Sequence, residues 1–245
     1  MANKSGFAYE LDSTMRDGHH DMKTFGLGFL RSISSLRHQL HEKASLLVAY
    51  AAMEEALDEI AARESNPKIT KFWRTFGPDV RKANALKMDV ENLGGCGEEF
   101  PAALQYVTVI QNAAKEMQGD DKSTQGDLLL GHAYVRYLAD LFGGSMIGEP
   151  TKLALRLDEV PTFYQFSSSE IRMNRVAFIE RFYEGLNECG TLMNKERRHQ
   201  CVLEARRAFK CNADVYTERG GLITGALIGI ANLGVGYAMK RISKT

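Results

Sequence analysis

Residues 131–144 read Gly131-His132-Ala133-Tyr134-Val135-Arg136-Tyr137-Leu138-Ala139-Asp140-Leu141-Phe142-Gly143-Gly144. The spacing of apolar positions from Leu128 to Phe142 predicts a helix. Arg136 and Asp140 stand one helical turn apart and share a face, with Tyr134 and Tyr137 on neighbouring stripes. Taken alone, these residues fit a surface ion pair beside core tyrosines as well as they fit a site. The glycine pair adds a second constraint. Adjacent glycines cost a helix about 1 kcal/mol each relative to alanine, so Gly143-Gly144 implies close packing or a ligand. Glycine lets backbone approach a flat ligand, and a nearby carboxylate such as Asp140 can order water above it.

Working outward, residues 28–62 carry Leu36, Leu40, Leu47, Ala51 and Ile60 at helical spacing and predict one long helix. Asn66-Pro67 punctuates the chain, and Gly77-Pro78 opens a helix over 79–92 that closes at Gly94-Gly95. Pro101 suits the first turn of a helix to about Met117. Glu149-Pro150 stops the helix that Gly143-Gly144 interrupts, and Ser169 caps the next, after a connection over 161–168. A last soluble helix runs over 194–216. No stretch alternates in the manner of a strand, so the fold class is all-α.

The 245 residues allow one substantial core, read as an arm over 1–9, a helical domain over 10–217 and an apolar tail over 220–239. Lys+Arg and Asp+Glu are both 31, so no global field selects nucleic acid. Cys96, Cys189, Cys201 and Cys211 form no CxxC pair and no ligand cluster with histidine, which fits a reducing compartment. The N-terminus carries no secretory signal. Gly220 to Met239 is uncharged, flanked by Arg219 and by Lys240-Arg241, and long enough to cross a bilayer. Gly221, Gly225 and Gly229 recur at the spacing that lets membrane helices approach. The tail thus reads as a membrane anchor, or else as a helix packed on the bundle, which Thr224, Asn232 and the glycines leave open.

The opening run resembles one carried by the heme oxygenase family, His-Ala-Tyr-Thr-Arg-Tyr-Leu-Gly-Asp-Leu-Ser-Gly-Gly, with 10 of 13 positions shared from His132 to Gly144. Leu47 to Glu55 is similar to the family's second helix, Arg81 to Val90 to the stretch after it, and Glu204 to Asn212 to its final helix. The resemblance covers about residues 10–217. It implies a single-domain helical bundle with heme sandwiched between a proximal helix and a kinked distal helix.

It further implies oxidative cleavage of heme b to biliverdin, ferrous iron and carbon monoxide, with O2 and electrons passed from NADPH by a reductase of the cytochrome or ferredoxin type. Heme would be both substrate and cofactor. Asp140 would organise water over the heme, supported by Arg136 and Tyr50. His19 would ligate the iron, with His20 as the alternative, and Arg16 would meet a propionate. His38 and His41 are rivals lying on the same helix as Tyr50. Tyr134, Ala139, Gly143, Gly144, Arg181 and Phe209 would line the heme. With the tail as anchor, the protein would face the cytoplasm from an intracellular membrane such as the endoplasmic reticulum.

The chain departs from the family in several places. Ala139 and Phe142 stand where it has glycine and serine, and Ile179 and Tyr183 where it has lysine and arginine, leaving Arg181 as substitute for the propionates. Lys23 and Thr24 replace the carboxylate expected four residues beyond the proximal histidine. These departures keep two alternatives in view: a heme-binding carrier without turnover, and a bundle acting on another ligand such as a thiamine-type substrate.

Overall fold

The structure is a computed structural model that describes residues 5–17 and 19–242; for 15–22 and for Ser145 the side chains lie outside the described residues. Helices follow one another as α1 (Gly6–Asp17), α2 (His19–Ser32), α3 (Leu36–Arg63), α4 (Pro67–Val80), α5 (Ala83–Asn92), α6 (Pro101–Lys115), α7 (Leu129–Ala139), α8 (Ser145–Leu155), α9 (Ser169–Thr191), α10 (Lys195–Thr217) and α11 (Leu222–Ile242). A π-helical turn, Asp140–Gly144, joins α7 to α8. No β-strand occurs among the described residues.

Each boundary that differs from the sequence expectation has a specific cause. The single helix expected over 28–62 breaks at Ile33 to Ser35, because the Ser35 hydroxyl caps α3 by accepting from the His38 amide at 3.2 Å. Gly77-Pro78 lies inside α4 rather than opening a helix. Pro78 falls in the last turn, where the missing N–H costs one bond and the helix ends at Val80. The true start of α5 is set from a distance: Glu54 accepts from the amides of Lys82 and Ala83 at 2.7 and 3.1 Å. Pro150 lies within α8 instead of ending it, since packing against α11 offsets the local cost of about 3 kcal/mol. Ser168, not Ser169, caps α9. At the N-terminus, α1 begins at Gly6 with Phe7 and Ala8 buried, so these residues belong to the bundle rather than to an arm.

The core is aromatic where α3, α4, α7 and α9 meet. Trp73 stacks on Tyr137 at 5.9 Å between centroids, and Phe76 packs on Phe182 at 5.2 Å. α7 lies so close to α10 that a Cβ on Gly131 would stand 2.8 Å from the Ala205 amide nitrogen and the Cys201 carbonyl. Any larger residue there would push apart two helices that carry the cavity described below.

α11 lies along α2 and α8. Gly225, Gly229 and Gly236 meet Arg31, the Leu30 carbonyl and the Leu153 carbonyl. Asn232 donates to the carbonyls of Ile33 and Ser34, which the break after α2 leaves without helical partners. Its other face exposes Ile223, Leu227, Ile230 and Tyr237.

Candidate functional site

A cavity of about 720 Å³ opens between α2 and the α7–π–α8 run. Phe25, Gly26 and Phe29 of α2 form one wall, and Ala139, Asp140, Phe142, Gly143, Gly144 and Ile147 form the other. The size and mostly apolar lining suit a flat ligand held by few polar groups. Gly143 and Gly144 have open space at their Cβ positions, within the π-turn that interrupts the helical ladder. Phe209 and Tyr216 of α10 close one end, packed on Phe25 at 5.9 and 5.5 Å.

The polar groups converge on Asp140. Its carboxylate accepts from the Tyr50 hydroxyl at 2.5 Å, and the Arg136 guanidinium lies 4.5 Å from the Tyr50 ring centre while donating to the Asn212 side-chain oxygen. Burial pushes the Asp140 carboxyl above the ordinary carboxylate range, and Arg136 and Lys82 pull it back. Burial opposes the charge on Arg136, but Tyr50 and Asp140 more than offset it, so the guanidinium stays ionised. A partly protonatable carboxyl beside a fixed cation and a phenol can hold, give and recover a proton at the cavity surface.

Other expected residues are distributed unevenly. Tyr134 lines the cavity and donates to Asp12 at 2.6 Å; Tyr183 also lines it, 3.4 Å from Asp12. Ala139, Gly143, Gly144 and Phe209 line it as expected, while Phe142 is half exposed at its edge rather than filling it. Tyr50 sits behind the wall, reaching the cavity through Asp140.

Arg181 does not reach the cavity: it pairs with Glu170 on the surface. At 100° per residue, the turn that aims Tyr183 inward carries Arg181 about 200° away. His19, His20 and Arg16 have side chains outside the described residues; α2, which begins at His19, supplies one cavity wall. His38 accepts or donates to Ser34 and Ser35, and His41 faces Glu98 and Glu218; neither lines the cavity. The conspicuous His132 is a core residue between Glu204 and Tyr106. The sequence assigned no site role to Glu42, Asn212 and Tyr216, all on the cavity wall, or to Lys43 and Lys82 behind it, although Lys82 and Asn212 lie in the segments that carry the resemblance. The available signal was Gln39, Glu42 and Lys43 falling on the same buried stripe of α3 as Leu46, Tyr50 and Met53.

Comparison with known proteins places this geometry. The sequence model of the family described as heme oxygenase matches residues 8–218. Heme oxygenase 1 of Rattus norvegicus is 29% identical over 184 residues, spanning 74% of this chain and 59% of that protein, so the chain matches little more than half of its relative's length. Heme oxygenase 1 of Synechocystis sp. is 25% identical over 205 residues, 81% of this chain and 78% of that protein. Among solved structures, heme oxygenase-1 of Synechocystis in complex with heme superposes with a TM-score of 0.73 at 22% identity, covering 93% and 99% of the two chains. Heme oxygenase 2 of Chlamydomonas reinhardtii without heme gives 0.72 at 19% identity, covering 86% and 96%. These two likenesses establish the helical fold. A family match that takes in α2, the π-turn and α10 together shows that this chain belongs to the heme oxygenase family.

Proposed function

We propose that the protein cleaves heme b oxidatively to biliverdin, ferrous iron and carbon monoxide, using O2 and electrons that a reductase relays from NADPH. The observation that carries this reading is the buried Asp140 carboxyl held by Tyr50, with Arg136 over the Tyr50 ring, on the wall of an apolar cavity backed by Gly143-Gly144. Heme supplies the iron chemistry when bound. The protein's part is to seat the ring between α2 and the π-turn, keep bulk water out, and deliver protons from Asp140.

His19 is proposed as the iron ligand with His20 as alternative, and Arg16 as a propionate partner. The test is to titrate purified protein with hemin, add a reductase system and follow the spectrum. A Soret band that decays to biliverdin supports the enzyme; a Soret band that persists overturns it. His19→Ala is expected to abolish the imidazole-ligated ferric spectrum. If His20→Ala abolishes it instead, the ligand assignment moves by one residue.

A carrier without turnover is the second reading, favoured by Arg181 being turned onto Glu170 and away from the cavity. Persistence of the Soret band under reductase would select it.

For α11 we propose a tail anchor on the cytoplasmic side of an intracellular membrane. The helix is 21 residues long and apolar enough to cross a membrane by length and composition. The hydrogen bonds of Asn232 to Ile33 and Ser34 favour the other reading, a helix packed on the bundle. Flotation with phospholipid vesicles separates the two. The full chain is expected to float with the vesicles and a chain ending at Gly220 to stay in the dense fraction; equal behaviour of both removes the anchor.

A further inference from the structure

The cavity has an inner corner that the Asp140 cluster does not use. Glu42 of α3 lines it, is buried, and lies 3.8 Å from the Lys43 ammonium. Lys43 is fully buried, with its nitrogen 3.8 and 4.2 Å from the ring centres of Tyr164 and Phe163, and it closes no hydrogen bond. One turn earlier on α3, the buried Gln39 side chain lies beside the buried Tyr164 hydroxyl, which also stands beside Thr151. A buried ammonium that closes no hydrogen bond, next to a polar side-chain cluster, is a costly arrangement that internal water normally satisfies.

The groups facing Glu42 are of mixed kind: Arg31 and Ser32 from α2, Arg136 from α7, Tyr164 from the turn after α8, and Tyr216 from α10. Burial drives Glu42 toward its neutral acid form, against the pull of Lys43 and Ser32. Burial likewise brings Lys43 down to about 8, opposed by Glu42. Burial thus pushes both partners toward their neutral forms, while each favours the charge on the other.

We propose that Glu42 and Lys43 form a proton-holding pair that serves the cavity through water held by Gln39 and Tyr164, a second acidic position beside Asp140. Its role in turnover rests on the heme-degrading reading above. When Glu42 gives its proton to an acceptor in the cavity, the carboxylate left behind faces Lys43 and Arg136. Transfer of a proton from the Lys43 ammonium restores the acid, and a proton taken up from bulk solvent, relayed by cavity water, restores the ammonium; no electron moves. The signs are consistent, since two cations near the carboxylate make loss of its proton possible in a site where burial alone would forbid it.

Two measurements test the pair, one without heme. Infrared pH-difference spectra of the ligand-free chain should contain a protonated-carboxyl band at neutral pH that Glu42→Gln removes, Glu42→Asp retains at a shifted frequency, and Asp140→Asn leaves in place. Lys43→Met should move the midpoint of that band to higher pH. In the hemin complex with reductase, Glu42→Gln should slow biliverdin formation about tenfold, less than a directly acting acid, and flatten its decline at alkaline pH. Thermal melts establish that each variant folds, and Glu42→Asp stands in if the amide does not. An infrared spectrum and a pH profile of Glu42→Gln that overlay the parent overturn the proposal. If the parent itself makes no biliverdin, the heme-degrading reading falls, and the infrared arm alone decides whether Glu42 holds a proton.

Discussion

Asp140→Asn is expected to slow conversion of bound hemin to biliverdin by about 10²- to 10⁴-fold, the range for loss of a positioned acid or base. Asparagine keeps the shape of the side chain and an oxygen that can accept from Tyr50, now at 2.5 Å from the carboxylate. It cannot give and recover a proton. Arg136 retains Asn212 and the Tyr50 ring, so the wall of the cavity stays in place. Hemin affinity should change little, because Gly143, Gly144, Phe25 and Phe209 supply the contact surface. A purely structural Asp140 would give the opposite pattern, with weaker binding, a lower melting temperature and an unchanged single-turnover rate. The pH dependence adds a check. Burial raises the Asp140 carboxyl, so a rate that needs its proton should fall with rising pH at values above the usual carboxylate range.

How much of this was legible in the sequence depends on whether the signal was local. The run from His132 to Gly144 announced helix, kink and a shared face for Arg136 and Asp140, because a turn of helix fixes those relations without reference to the rest of the chain. Helix ends were misread where the deciding partner is distant. Glu54 caps α5 from 28 residues away, so that boundary has no signal in its own neighbourhood, and the carbonyls freed where Ser35 starts α3 find their partner, Asn232, almost 200 residues away. Arg181 failed as a cavity residue because its charge was matched to the missing cations while its helical phase was not. Glu42 and Lys43 were overlooked for the complementary reason. A charged pair is normally read as a solvated surface, and burial on α3 becomes evident when α2, α7 and α10 are packed against it.

Arg197 shows the same limit and carries the largest expected effect on stability. With Lys195 and Arg198 it looks like a basic surface, yet its side chain is 1% exposed. Its guanidinium donates to Asp127 at 3.2 Å, to Glu116 at 2.5 Å, to Gln200 at 3.0 Å and to the Thr124 carbonyl at 2.8 Å. That fork ties α10 to both ends of the connection between α6 and α7. Asp127 is itself fully buried and also bonded by Asn66 at 2.6 Å, with the Lys68 ammonium at 3.3 Å. Arg197→Met preserves much of the volume and leaves Asp127 with one cation where it had two. Breaking one member of a buried ionic network costs about 3–5 kcal/mol, and the remaining Lys68 places the expectation at the lower end, about 3 kcal/mol. Arg197→Lys should recover part of this, since an ammonium reaches Asp127 or the Thr124 carbonyl but cannot span both with Glu116. Adding Asp127→Asn to Arg197→Met should not restore the parent's stability, because the buried Lys68 ammonium then loses its carboxylate. The readout is the denaturant midpoint at unchanged slope. A loss below about 1 kcal/mol would mean that the network is not formed in solution. Because Asp127 leads directly into α7, and Gly131 holds α7 against α10, the destabilised variant should also bind hemin less tightly than the parent does.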